Sequence, residues 1–409
     1  MDKVKLHKYA EVVVKKALQL KKGQILYVEA LLGTEEFVCA LAEEAYQAGA
    51  SDVAVNWKSN QLDRVKLSRP DAPDIGRLTE LDYATIDYYA SRGAAFVRIE
   101  SPDLEVFRDV PTANLQRKAV GDRESRLRYG EKSRETGAGS TIICVPTVPW
   151  AKAVFPELSP EEGVEKLWEA VFQCVRVNEP DPLAAWDNFV ANTRKRRELL
   201  NKKKYVTFHY KSAKTDLYIS PIDEQFWCGG CNDTDDPDVY CIPNVPTEEV
   251  FTCPNKYKAN GYVSSTKPLN FRGRIINNFK LTVKDGEVIE YSAEEGEDVL
   301  KSILETDSGS RYFGEMALID KNSPISKLNI TFYTTLYDEN ASCHIALGLG
   351  LGGAGAMTPE EKEAKGINHS ALHVDFMVGS DDMNIKGQLA DGTWEDVFID
   401  GSWAPAFTI

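Results

Sequence analysis

The sequence predicts an α/β N-terminal domain with a parallel sheet, followed by an α+β C-terminal domain with a largely antiparallel sheet. Three observations predict it. The chain has 409 residues, too many for one ordinary core. Its first half alternates helical and strand patterns, which implies a parallel sheet flanked by helices. Beyond residue 204 the texture changes to short strand-like runs broken by Asp-Gly turns. The expected boundary therefore divides residues 1–203 from residues 204–409.

In the first half, KLHKYAEVVVKKALQL reads as a helix and QILYVEA as a strand. TEEFVCALAEEAYQAG reads as a helix opened by a capping Thr and closed by a Gly. DVAVNW is a strand, ELDYATIDYYASRG a helix, and AAFVRIES and TIICVPT are strands. SPEEGVEKLWEAVFQCVRV starts with a capping box at Ser159 and Glu162, with Pro160 at its first helical position. A long helix should run from about 182 to 203. In the second half, YVTFHY, DLYISPI, NGYVSSTKPL and RIINNFKLTV-KDG-EVIEYSA read as strands, the last a hairpin turning at Asp285-Gly286. The helix EEGEDVLKSILETD follows. NITFYTTLY, HVDFMVGS and KGQLADGTWEDVFIDGSW read as further strands.

Composition excludes several classes. The formal net charge of −15 argues against a nucleic-acid partner. The densest basic cluster, TRKRRELLNKKK at 193–204, lies on a predicted helix and reads as a solvated face. No window approaches 18 consecutive apolar residues, so no membrane span is expected. The N-terminal segment lacks the apolar core of a signal peptide, so a cytoplasmic location is expected. The eight cysteines are then expected as free thiols. The pair CGGC at 228–231 has zinc-knuckle spacing but no second close pair, and reads as thiols in a Gly turn.

Histidine is scarce, five in all, yet two fall in HSALHVDFMVGS at 369–380. Residues two apart on a strand share a face, so His373 and Asp375 project together. That spacing suits a metal ion, or an imidazole oriented by a carboxylate. His344 follows Asp338-Glu339-Asn340 at the end of the apolar NITFYTTLY run; a helix start capped by Asn340 is the structural alternative. Glu315 sits in the apolar run RYFGEMALI, where an unpartnered carboxylate is costly. Glu248 and Glu249 are adjacent and would face opposite ways on a strand, so one of them can point into a site. Three carboxylates and two imidazoles could hold two divalent ions with a water between them. The run GLGLGGAGA formally satisfies G-x-G-x-x-G at Gly348, Gly350 and Gly353. It does not directly open a helix and no βαβ unit surrounds it, so it reads as a loop beside the site.

Taken together, PTEEVFT, NGYVSSTKPL, ETDSGSRYFGEMAL, LYDENASCHIALG and NHSALHVDFMVGS resemble the aminopeptidase T/aminopeptidase S family of dinuclear metallo-aminopeptidases. GTWEDVFIDGSW and the N-terminal motifs fit too, so the likeness covers nearly the whole chain. The resemblance implies metal ligands Glu249, Glu315, His344, His373 and Asp375, with Glu315 also the catalytic proton acceptor. It implies two divalent ions, cobalt or zinc, peptide substrates and a homodimer. Asp338 and Glu339 are expected around the ligands. The family places a tyrosine seven residues after the motif histidine, where this chain has Leu351, which predicts weaker catalysis. The rival enzyme is a mononuclear iron ring-cleaving dioxygenase using His344, His373 and Asp375. Glu249 and Glu315 are surplus for one iron.

Overall fold

A computed structural model describes residues 2–69, 76–233, 240–271, 273–351 and 357–408. Two compact units emerge: residues 1–187 with 231–246, and residues 188–230 with 247–409. The division at 187/188 falls inside the long helix Pro182–Lys203. The composition shift at 203/204 instead marks that helix's C-terminal end.

The first unit holds a parallel sheet of β1 (Ile25–Leu31), β2 (Asp52–Lys58), β3 (Ala95–Glu100), β4 (Ser140–Cys144) and the short strand Asn244–Val245. The order is β2-β1-β3-β4 and then the short strand, parallel throughout. The helix Lys3–Val12 runs on as a π-helical turn through Ala17. Ser159 and Glu162 form the expected capping box, with Pro160 in the first turn. Thr34 does not cap its helix. Its hydroxyl donates back to the Leu31 carbonyl, and Glu35 takes the Gly33 amide instead.

The second unit carries an eight-stranded sheet and a four-stranded sheet. In the larger, Asp285-Gly286 makes the expected two-residue turn, both residues at positive φ. The smaller consists of β5 (Val250–Thr252), β6 (Phe313–Leu318), β7 (His344–Gly348) and β8 (His373–Met377), in that order and antiparallel. Val250, Met316, Leu318, Ile345, Leu347, Val374 and Phe376 join the unit's hydrophobic core.

The structure departs from the sequence reading in two further places. NITFYTTLY is not a strand: left-handed backbone at Asn329 and Tyr333 breaks the run before the short helix Thr335–Asp338. The structure also contains a 25-residue helix, Thr112–Thr136, that the sequence pattern does not reveal. Its residues are polar around most of the circumference, so no apolar stripe announces it.

Candidate metal centre

Strand alternation builds the centre on one face of the four-stranded sheet. On β7, His344 and Ala346 point the same way, as do His373 and Asp375 on β8. Ala346 is the register partner of both Glu315 and Asp375, so its methyl group lies between two carboxylates and leaves room there. Gly348 pairs with His373 in the same way. Glu249 immediately precedes β5 and is buried.

Glu315 reaches this face through a bulge. Phe313 pairs with Leu347 on the core side, yet Glu315 pairs with Ala346 on the site side. The extra residue is Gly314, which resets the alternation. A Cβ at Gly314 would lie 2.2 Å from the Leu349 carbonyl oxygen, so only glycine fits.

All five sequence-predicted residues converge. His344 Nε2 lies 3.3 Å from Glu249 and 3.3 Å from Glu315. His373 Nε2 lies 3.2 Å from Asp375 and 3.8 Å from Glu315. Glu249, Glu315 and His344 form one group whose donor atoms lie within 4.8 Å of one another, and Glu315, His373 and Asp375 form a second. Glu315 belongs to both. Among the described residues no such group unites His344, His373 and Asp375.

The donor set fits metal ions. His344 Nδ1 faces the Glu339 carbonyl at 2.8 Å, and His373 Nδ1 faces the Leu349 carbonyl at 2.8 Å. A carbonyl only accepts, so each Nδ1 carries a proton, and Nε2 is the atom each ring turns toward the carboxylates and would offer to an ion. Asp375 Oδ1 is buried, with His373 Nε2 facing it at 3.2 Å. Burial pushes Glu315 up to about 7, helped by repulsion from Glu249 and Asp375. Burial disfavours a charged His373, but Asp375 and Glu315 outweigh it and raise the ring to about 10. Burial also opposes charge on Asp375, yet His373 and His344 hold its carboxyl below the ordinary range. Carboxylates in excess of imidazoles in a dry site demand added positive charge.

Of the pair left open by the sequence, Glu249 enters the centre; the Glu248 amide donates to Asn340 Oδ1 at 2.8 Å. Asn340 is therefore a buried brace within a 3₁₀ turn rather than a helix cap. Glu339, expected only around the ligands, faces the same centre. Burial first, and then Asp375 and Glu249, drive its carboxyl well above the usual range. The CGGC turn also has a use. Cys228 exchanges backbone hydrogen bonds with Phe251, and a Cβ on Gly229 would lie 2.1 Å from the Glu249 carbonyl oxygen. The cysteines are free thiols. Gly353, in the Gly-rich run, lies outside the described residues.

Residues 2–403 match the family model described as thermophilic metalloprotease (M29). The chain belongs to this family. It is 38% identical over 403 residues to Aminopeptidase 2 of Geobacillus stearothermophilus, covering 98% of this chain and 97% of that protein. It is 38% identical over 406 residues to Aminopeptidase AmpS of Bacillus subtilis, covering 98% of each. The solved structure of wild-type AmpT from Thermus thermophilus superposes with a TM-score of 0.89 at 33% identity, covering 98% of this chain and 99% of that one. The M29 chain described here is accordingly a metal-dependent aminopeptidase, a hydrolase of the exopeptidase type. Among the described residues no helix is long and apolar enough to cross a membrane.

Proposed function

We propose that the centre binds two divalent ions, cobalt or zinc, and hydrolyses the bond after the N-terminal residue of peptides. The observation that carries this reading is the shared carboxylate: Glu315 belongs to both three-residue groups. Glu249, Glu315 and His344 would hold one ion, and Glu315, His373 and Asp375 the other. Ions held there would lower the pKa of a bound water and polarise the scissile carbonyl.

The chain's own residues do the remaining work. The backbone carbonyls of Glu339 and Leu349 hold the proton on each Nδ1, so Nε2 is the nitrogen of each ring that would face an ion. Glu315 is the proposed proton acceptor, passing the proton on to the leaving amine. Burial raises its basicity toward the working range. Glu339 adds a fourth carboxylate beside the ions. A cytoplasmic homodimer completes the reading, on family likeness.

The test is the metal content of protein purified without chelator, beside hydrolysis of leucine and arginine anilides with added cobalt or zinc. About two ions per chain with cleavage is the expected result. One iron without cleavage would replace this reading with a dioxygenase on His344, His373 and Asp375. No metal and no cleavage would mark a relative disabled at Leu351.

A further inference from the structure

A cavity of about 50 Å³ opens beside the centre, walled by Leu269, Tyr333, Asp338, Glu339, Asp375 and Met377 among others. Asp375 belongs to the proposed ion-binding groups, and Met377, two residues further along β8, faces the same way. The space is large enough for several waters or a small organic group. No mechanistic role assigned above uses it.

Its outer wall is built against local preference. Tyr333 has φ 57°, a left-handed conformation that is a genuine outlier for a bulky aromatic. Three contacts hold it there. Asn270 Nδ2 donates to the Tyr333 carbonyl at 3.3 Å. The carboxylate of Asp338 accepts the amides on either side, Phe332 N at 2.7 Å and Thr334 N at 3.0 Å. Strain maintained in this way at the edge of a reaction centre serves to place a side chain.

We infer that this cavity seats the side chain of the substrate's N-terminal residue, with Tyr333 as the wall that selects it. The inference rests on the peptidase reading above and adds the specificity. Leu269, Met377 and the Tyr333 ring offer apolar contact to an uncharged side chain. Neither Lys nor Arg lines the cavity, and its walls already hold the carboxyl groups of Asp338, Glu339 and Asp375, so nothing there receives an acidic side chain.

Steady-state kinetics on leucyl, glycyl and glutamyl anilides test it. The wild-type protein should favour leucyl over glycyl, with glutamyl poorest. Tyr333→Gly should cut the leucyl-to-glycyl ratio of kcat/KM by about tenfold. Its metal content should be unchanged and its Tm equal or higher, because glycine takes a positive φ without strain. Met377→Ala, which only deepens the cavity, should shift preference from leucyl toward phenylalanyl. Equal losses on all substrates, or an unchanged ratio in both variants, would overturn the inference. A wild-type protein inert on every anilide with metal present removes the peptidase reading and this inference together. An active wild type with unaltered selectivity in the variants removes the pocket alone.

Discussion

Charge set into a sheet is handled in opposite ways in the two units. In the parallel sheet, Glu29 on β1 and Arg98 on β3 are register partners. Arg98 Nε and Nη2 donate to Glu29 at 3.2 and 2.9 Å, and one cation answers one anion. In the four-stranded sheet, Glu249, Glu315, Glu339 and Asp375 gather around two imidazoles whose Nδ1 protons are already committed. The first arrangement is complete within the chain. The second is a receptor for charge supplied from outside.

Glu315→Gln should separate the two most strongly. Anilide hydrolysis should fall by about 1000-fold, the scale of losing an electrostatic element of a reaction centre. Metal content should fall with it. The metal-free protein should instead gain roughly 1 kcal/mol, since a like charge has gone from a dry site. Calorimetry with and without metal reads both signs. Arg98→Met should behave otherwise, costing about 1–3 kcal/mol whether or not metal is present, because the half-buried Glu29 loses its charged partner. Equal sensitivity of that loss to metal would erase the contrast.

Gly314→Ala should lower activity by about 100-fold, since displacing Glu315 by about 1 Å is enough for such a loss. Anilide turnover beside circular dichroism separates this from unfolding. Asp338→Asn tests a carboxyl outside the two metal groups. Burial raises Asp338 to about 7, against the pull of the Phe332 and Thr334 amides. Its folded form therefore binds the proton more tightly than the unfolded chain. The stability this provides is complete below about pH 4 and is lost as pH rises toward 7, by about 1.4 kcal/mol for each pH step of one. The asparagine variant should flatten that slope in Tm against pH. Leu351→Tyr should give the smallest change, a rise in kcat of about tenfold, at or below the low end of what one added donor supplies. Leu351 is 38% exposed, so the larger ring meets little steric resistance, and unchanged kcat would show that the position is silent.

The α/β pattern, the capping box at Ser159 and the Asp-Gly turns were legible because each depends on neighbours in sequence. The five residues proposed as ligands were named for a different reason: they sit within long motifs shared with a known family. Before any resemblance, spacing paired His373 with Asp375, local setting added His344 and Glu315, and the choice between Glu248 and Glu249 stayed open. The run NITFYTTLY misleads because its β-branched and aromatic residues favour a strand. Asp338 takes two of its amides from a distance of four to six residues, and that side-chain contact overrides local preference. The close approach of Gly229 to Glu249 was invisible for the same reason. It joins segments that only the folded sheet brings together.

Gly314 sets the phase of its strand. A strand counts in twos, and one supernumerary residue changes odd to even for everything after it. Were Gly314 paired as an ordinary strand residue, without the bulge, no side chain in the sequence would change and yet Glu315 would turn toward the core, exchanging its place with Met316. The centre thus depends on a parity as much as on a set of ligands.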